Sequence, residues 1–434
     1  MKKSPLLTPA RRTAFDSLKL CLRQGVRIQA ALNRSIDLAS LSAADRGLAT
    51  ELAYGYLRYK GRLDYCIDAH LSKPGGVQKD LRLILGLAAY EILHLDKIPN
   101  YTSVSWAVDF CKKRYGKKLG GLTNALLRNI CSLDRSYHDP DFYGQSTAPD
   151  NIFLSRIYSA PVWLVDLFIS SFNRNRALAY LKAGLEKPPV GLRINPLAQP
   201  PQQLLHQLGE ELSVVKSMDY GLAVAPPAGP ELNRLIHDGL ISRQSLASQE
   251  ALLSLRPDDW PRPVWDCCAG HGGKTFFLHE KGIGPVMASD LNWKRLCNLK
   301  EEAYRLGFPV PVVFAADASR NAPLNKSVGT ALIDAPCSGL GVLARNPDIK
   351  WRRTKDELRK LNEVQAKILR NVFQTVRPGG TLAYLTCTLN PAENESMIRA
   401  FLKASPKAEL INEWTTDPDS LLHEFFWSAL IKKT

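Results

Sequence analysis

The sequence predicts three domains in series. These are an all-α domain over residues 1–138, a small α+β connecting domain over 139–240, and an α/β domain with a doubly wound parallel sheet over 241–434. Three observations carry that reading. Apolar residues recur at helical spacing up to about residue 135. Prolines then crowd the chain to about residue 240. Beyond that point short apolar runs alternate with helical stretches, the rhythm of strand–helix–strand units.

In the first domain Leu18, Cys21 and Leu22 share a helix face, as do Leu81, Leu85, Ala88, Ala89 and Ile92, and Val104, Ala107, Val108 and Cys111. Gly25, Pro74-Gly75-Gly76, Pro99 and Gly116 punctuate these segments, which predicts a bundle of about four to six helices. Lys112, Lys113, Arg114, Lys117 and Lys118 cluster at a helix end, before a further apolar helix over 122–130. Part of that cluster complements a helix C-terminus, which favours cations. In the connecting domain Pro161, Pro188-Pro189, Pro196, Pro200-Pro201 and Pro226-Pro227 interrupt short helices and short strands such as Val190–Ile194. In the third domain strands are expected over 263–268, 286–290, 310–314, 331–334 and 381–385. A helix over 356–376 places Leu361, Val364, Ile368, Leu369, Val372 and Val376 on one face and stops before Pro378-Gly379-Gly380.

The length of 434 residues suits several domains, and 45% hydrophobic with 23% charged residues excludes disordered and collagen-like classes. No apolar run approaches the roughly 18–20 residues that cross a bilayer. The basic start Met1-Lys2-Lys3-Ser4-Pro5 leads into no apolar stretch, so a cytoplasmic protein is expected. Of the net charge of +15, residues 1–135 carry +12 and residues 136–434 only +3. So concentrated a positive field suits a polyanion such as nucleic acid, or is simply a solvated basic surface.

Nine scattered cysteines, an odd number without a C-x-x-C pair, argue against a disulfide framework, and eight histidines without ligand spacing argue against a metal. Cys267 and Cys297 read as core residues. The strand ends hold the chemistry, where open α/β sheets place their ligands. The first ends in Asp266-Cys267-Cys268-Ala269-Gly270-His271-Gly272-Gly273-Lys274-Thr275. Cys268 stands where a phosphate loop needs its first Gly, and a third Gly is missing at position 275 for the dinucleotide fingerprint. What remains is a nucleoside-type cofactor without a pyrophosphate. Asp290 ends the second strand, where a carboxylate accepts ribose hydroxyls, and Asp317 follows the third, where an adenine amino group would sit. Together these ends point to S-adenosylmethionine, with His271 either a contact or a loop filler.

The fourth strand ends in Asp334-Ala335-Pro336-Cys337-Ser338-Gly339 and the fifth in Thr386-Cys387-Thr388-Leu389-Asn390-Pro391, followed by Glu393-Asn394-Glu395. Two cysteines therefore face one crevice. Amino-group methyltransferases stack the base on an aromatic at the fourth strand, and Cys337 in that place points to a ring carbon instead. Carbon 5 of cytosine is too poor a nucleophile to take a methyl group unaided. A thiolate adding at carbon 6 makes it an enamine, Asp334 is placed to assist at ring N3, and a base then removes the carbon 5 proton.

The two cysteine motifs resemble the fourth and sixth motifs of RNA cytosine-C5 methyltransferases, and nearly the whole chain resembles their bacterial Sun/Fmu (RsmB) group. The first domain resembles a NusB-like RNA-binding module in Leu52-Ala53-Tyr54-Gly55-Tyr56-Leu57-Arg58 and Thr123-Asn124-Ala125-Leu126-Leu127-Arg128. Leu192-Arg193-Ile194-Asn195 and residues 239–249 resemble the family's approach to a Rossmann-like class I methyltransferase domain. The resemblance implies Cys387 as nucleophile and Cys337 as the thiol that helps release product; spacing alone does not decide between them. It also implies cofactor contacts at Cys268, Ala269, Gly270, His271, Gly272, Gly273, Lys274, Asp290, Asp317 and Asp334. Gly270-His271 replaces the family's usual Ala-Pro, Ser245 stands where Asp is common, and 419–426 lacks a glycine-rich stretch.

The expected reaction is methyl transfer from S-adenosylmethionine to an RNA cytosine, with small-subunit rRNA as the leading substrate. Transfer RNA, or an idle RNA-binding assembly factor, are the alternatives. RNA is expected to be held by Lys112, Lys113, Arg114, Lys117 and Lys118 and, near the crevice, by Arg345, Lys350, Arg352, Arg353 and Lys355. Trp351 either stacks a flipped base or packs within the fold. No metal, no membrane and a monomer are expected.

Overall fold

The computed structural model describes residues 7–226, 230–320, 324–325 and 327–434. The basic start at Met1–Pro5 and Pro227 lie outside them. The chain forms two compact units, one of residues 7–185 with Asn346–Arg352, the other of Glu186–Arg345 with Arg353–Thr434.

The first unit is helical: α1 (Pro9–Gln24), α2 (Ile28–Asp37), α3 (Ala43–Asp68), α4 (Lys79–His94), α5 (Asn100–Tyr115), α6 (Lys117–Cys131), α7 (Asp150–Ile157), α8 (Val162–Ser171) and α9 (Arg174–Ala183). The periodic apolar residues form its core, among them Leu18, Cys21, Leu81, Leu85, Ala88, Ala89, Ala107 and Cys111. Thr8 and Ser42 cap α1 and α3 with side-chain oxygens, the role their residue types predict. Helices α3 and α4 approach closely at two glycines. A Cβ at Gly55 would overlap the Tyr90 ring, and one at Gly86 would overlap Tyr56. Inside the bundle Glu91 is fully buried and held by Arg11 (2.6 and 3.0 Å), Ser103 Oγ (2.6 Å) and Trp106 Nε1 (3.0 Å). A buried carboxylate is tolerable only with such partners.

The second unit holds two sheets. The smaller, in order β2-β3-β1-β4, is antiparallel and comprises β1 (Val190–Ile194), β2 (Val214–Met218), β3 (Gly221–Val224) and β4 (Ile241–Arg243), with α10 (Pro201–Glu211) and α11 (Pro230–His237). Helix α12 (Leu246–Leu253) leads into the large sheet, whose elements are β5 (Val264–Asp266), α13 (Gly273–Glu280), β6 (Val286–Asp290), α14 (Trp293–Leu306), β7 (Val312–Ala315) and β8 (Val328–Asp334). Residues Asn346–Arg352, which include α15 (Ile349–Arg352), belong to the first unit. The sheet resumes with α16 (Lys355–Thr375), β9 (Val376–Thr386), α17 (Glu395–Ala404), β10 (Ala408–Thr415) and β11 (Trp427–Lys433). Its order is β10-β11-β9-β8-β5-β6-β7, parallel from β9 to β7 with β11 antiparallel. Strand order reverses at β5 and β8, so the crevice lies beyond their carboxyl ends.

The all-α, α+β and α/β succession is present, but the compact units divide at residue 185 instead of at 138 and 240. The reason is local bonding. Helices α7–α9 join the helical unit because Gly61 N donates to Ser159 Oγ (2.7 Å), Arg62 Nε to the Ile157 carbonyl (2.6 Å) and Tyr59 OH to that of Leu185 (3.2 Å). The small sheet stays with the large one, tied by the buried Arg193–Glu280 ion pair at 2.5 Å. Pro378-Gly379-Gly380 ends no helix but lies within β9, the helix having stopped at Thr375. Among the described residues no single helix is long and apolar enough to cross a membrane.

Candidate active site

Strand β5 delivers Asp266 into a fully buried position, where its Oδ2 accepts from Thr275 Oγ1 at 2.7 Å. Burial pushes this carboxyl up to about 7. The following loop is shaped by two left-handed glycines, Gly270 (φ 57°) and Gly272 (φ 86°). A Cβ on Gly270 would meet only open space, so a ligand can reach this backbone. Gly270 N donates to Asp290 Oδ2 (3.0 Å), while Asp290 Oδ1 accepts from Asn292 N (2.8 Å), so the second strand end braces the first. Helix α13 starts without a side-chain cap, leaving first-turn N–H groups for a ligand. These features fit a nucleoside-type methyl donor, which needs backbone donors and ribose-binding carboxylates but no phosphate cradle.

Lys274 points back from α13 and is largely buried, with Nζ 2.6 Å from Asp334 Oδ2 at the end of β8. Burial pulls this ammonium down, yet the charges of Asp334 and Asp266 outweigh it and hold the group above its ordinary value. Strands β8 and β9 are in register, with Asp334 opposite Leu385, so both chains leave the sheet abreast. Their loops stay zipped by Ala335 N to the Leu385 carbonyl (2.9 Å) and Gly341 N to the Cys387 carbonyl (3.0 Å). That brings Cys337 Sγ and Cys387 Sγ to 3.2 Å. The hydrogen bond to Cys387 and then burial push the Cys337 thiol well up.

The structure thus joins Cys337 to Cys387, Lys274 to Asp334 and Gly270 to Asp290. Cys268 and Ala269 are half-buried in the same loop, and Ala269 N donates to the Ser289 carbonyl. Asp317 holds its own turn, accepting from Ser319 N and Oγ, which with the nearby Arg320 keeps its carboxyl below the usual range. His271 is exposed and lies against Asn298 of α14 (3.3 Å), lining an open cavity of about 640 Å³ with Arg193, Arg243 and Arg305. Cys267 is a core residue whose Sγ donates to the Leu332 carbonyl; Cys297 is half-buried.

The predicted RNA contacts divide. Lys112, Lys113, Arg114, Lys117 and Lys118 are all exposed where α5 meets α6. Lys350 is a correction: only 2% exposed, it donates from Nζ to the Arg58 carbonyl (2.9 Å) inside the helical unit and is not available to a phosphate. Burial, with Arg58 and Arg62 nearby, drives this amine well below its ordinary value. Trp351 packs within the fold, donating from Nε1 to the Leu57 carbonyl (2.7 Å) with Lys60 over its ring, so it is committed before any base could stack. Arg352 pairs with Asp348 (2.7 Å), Arg345 with buried Glu424 (2.6 Å), and Arg353 donates to the Ser338 carbonyl (3.1 Å). Lys355 is exposed at the start of α16. Among the described residues no three His, Cys, Asp or Glu side chains converge as metal ligands.

Sequence reasoning assigned no role to Glu393, which reads as one acid of a polar Glu-Asn-Glu turn but is fully buried between the two cysteine loops. The only signal for it was its place two residues past Asn390-Pro391.

Residues 250–425 match the family described as 16S rRNA methyltransferase RsmB/F, and residues 8–132 match the NusB family. A probable ribosomal RNA small subunit methyltransferase B of Synechocystis is 31% identical, over 94% of this chain and 91% of its own. The Bacillus subtilis protein of the same description is 32% identical over 93% and 90%. Ribosomal RNA small subunit methyltransferase B of Vibrio cholerae is 30% identical over 95% and 96%. The crystal structure of PH0851 has the same fold across 100% of both chains, with a TM-score of 0.77 at 24% identity. With 31% identity sustained over more than nine-tenths of both chains, this chain belongs to the 16S rRNA methyltransferase RsmB/F family.

Proposed function

We propose that the chain methylates carbon 5 of a cytosine in small-subunit rRNA through a covalent bond from Cys387. The observation that carries the reading is the 3.2 Å approach of two thiols on adjacent strand ends, beside a glycine loop suited to S-adenosylmethionine. The descriptions of the relatives as small-subunit rRNA methyltransferases support the substrate class. Bound against residues 268–274, Asp290 and Asp317, S-adenosylmethionine would supply an electrophilic methyl group.

The protein's own residues do the rest. Cys387 gives its sulfur electron pair to carbon 6, and the ring's electrons shift towards N3, which takes up a proton at Asp334, the carboxyl group that Lys274 holds in place. Carbon 5 thereby becomes the nucleophile. After methylation its proton leaves to a base, the electrons re-form the 5,6 double bond, the Cys387–carbon 6 bond breaks, and N3 returns its proton to Asp334. Cys337, in contact with the leaving sulfur, assists that release. The exposed cations between α5 and α6 are offered as the RNA grip.

Bisulfite sequencing of rRNA from a deletion strain tests the substrate: one small-subunit cytosine loses protection, and tRNA cytosines do not. No change at any rRNA cytosine refutes it. In vitro, Cys387→Ala abolishes methylation, while Cys337→Ala accumulates a protein–RNA adduct. An adduct formed by Cys387→Ala would reverse the two roles.

A further inference from the structure

Glu393 is fully buried, and each of its carboxylate oxygens meets two neutral donors. Oε2 accepts from Ser338 N (2.8 Å) and Gln365 Nε2 (3.0 Å); Oε1 accepts from Asn390 Nδ2 (2.9 Å) and Thr388 Oγ1 (3.4 Å). Ser338 follows Cys337 and Thr388 follows Cys387, so one carboxylate ties the two thiol-bearing loops together. A direct Ser338 Oγ–Thr388 Oγ1 bond at 2.6 Å tightens the same junction. Tyr384 OH donates to the Glu393 carbonyl (3.0 Å), fixing the residue to β9. Burying an ionised carboxylate without a paired cation is costly, and packing alone does not call for it.

The carboxylate bonds unevenly to the two loops, at 2.8 Å to Ser338 N next to Cys337 and at 3.4 Å to Thr388 Oγ1 next to Cys387. Glu393 is among the groups that raise the Cys337 thiol, after its bond to Cys387 and its burial. On the other side Lys274, anchored on Asp334, lies within electrostatic reach of Cys387. Among the described residues, other polar or titratable groups near the pair include Tyr384 on β9, with Cys268 of the glycine loop close to it, and Arg353, which donates to the Cys337 and Ser338 carbonyls.

We propose that Glu393 is the positioning residue that assigns the two cysteines their roles, fixing both loops and keeping the shared proton on Cys337 so that Cys387 carries the attacking electron pair. The inference rests on the cytosine-C5 reading for its purpose, but its physical content is a difference between two thiols in the free protein. In balance, Cys387 Sγ gives its own proton to solvent, the proton between the sulfurs stays on Cys337 Sγ, and the lone pair on Cys387 Sγ forms the new bond to carbon 6 while the displaced ring pair moves to N3, which takes a proton at Asp334. No oxidant or further reactant enters.

The test alkylates the full-length protein with iodoacetamide across a pH series and reads each cysteine by mass spectrometry. In the wild type Cys387 is modified faster than Cys337 near neutral pH. Glu393→Gln keeps the shape and the two bonds to one oxygen, sets an NH2 against the other two donors and removes the charge, and lowers that preference by about tenfold. A merely structural residue would leave the preference intact. In the methylation assay the same variant lowers kcat by about tenfold while KM for RNA stays within about twofold, the pattern of a stabilisation removed at the reacting centre. Should Glu393→Gln fail to fold by thermal melting, Thr388→Val removes one donor from the bracket and lowers the preference by about threefold. Unchanged selectivity in a folded variant overturns the proposal. Wild-type selectivity without methylation of any rRNA cytosine would instead defeat the cytosine-C5 reading and leave the thiol assignment standing.

Discussion

Asp266 gives the methyltransferase unit a pH-dependent stability that one substitution should remove. The side chain is fully buried, with Oδ2 accepting from Thr275 Oγ1. Burial raises the carboxyl from 3.8 to about 7, so the folded chain holds a proton that the unfolded chain has released. Between those values the native state binds more protons, and stability therefore falls as pH rises. The contribution is whole below the unfolded value and lost progressively up to about 7, with an upper bound of about 4 kcal/mol for three units. From about pH 5.5 to about pH 8 the loss is about 2 kcal/mol, and at roughly 2–4 °C per kcal/mol Tm drops by about 4–8 °C. Glu280, buried beside Arg193 and also raised to about 7, adds a fall of the same sign. Calorimetry of the full chain at several pH values is the assay. Asp266→Asn should flatten its share of the slope and leave that of Glu280. Parallel Tm–pH curves for variant and wild type would mean that Asp266 is ionised throughout, and the burial argument would be wrong.

The two thiols predict redox sensitivity. Sulfurs 3.2 Å apart need move only about 1 Å to bond, so diamide should inactivate the enzyme reversibly by a Cys337–Cys387 disulfide. Mass spectrometry finding both thiols free after inactivation would contradict this. For RNA binding, Lys350→Met should leave affinity within about twofold, because the amine never reaches solvent. Replacing Lys112, Lys113, Arg114, Lys117 and Lys118 with Gln should weaken binding and flatten its salt dependence by about 0.7–0.9 for each phosphate no longer neutralised. Filter binding at several salt concentrations separates the two, and equal weakening would restore Lys350 to the interface. Gly341→Ala should abolish methylation, since the new Cβ would overlap the Phe425 carbonyl and press on that of Cys387 at 3.0 Å. Full activity in that variant would show that the zipped loops tolerate separation.

Much of this was legible because strands and turns in a parallel sheet announce themselves locally. Apolar runs bounded by Asp, Gly and Pro located β5, β6, β8 and β9, and the helix expected over 356–376 is α16, Lys355–Thr375. The cysteine loops followed from those strand ends. What stayed hidden depends on partners distant in sequence. Lys350 sits among Arg352, Arg353 and Lys355 and so reads as part of a basic face; only the fold reveals that the Arg58 carbonyl, 292 residues away, accepts its hydrogen bond. Helices α7–α9 carry apolar residues but no mark of which unit they will cover. Glu393 and Glu395 stand two apart in one turn, yet the first is fully enclosed by Ser338, Gln365, Thr388 and Asn390.

The thiol pair is best understood as an extension of the sheet. Parallel ladders align strand ends but offer no hydrogen bonds beyond them. Here the ladder continues through Ala335 N and Gly341 N, so Cys337 and Cys387 sit on two loops joined by backbone hydrogen bonds. Backbone bonds of this kind set separation but treat both sulfurs alike. Distinguishing a nucleophile from its assistant needs unequal charge, which has to come from side chains. In the proposed assignment Lys274 and Glu393 supply it with opposite signs, the first held by Asp334 and the second by Ser338, Gln365, Thr388 and Asn390. The separation of the sulfurs therefore rests on the backbone ladder, and the proposed asymmetry on two side chains, one of which, Glu393, also braces both loops.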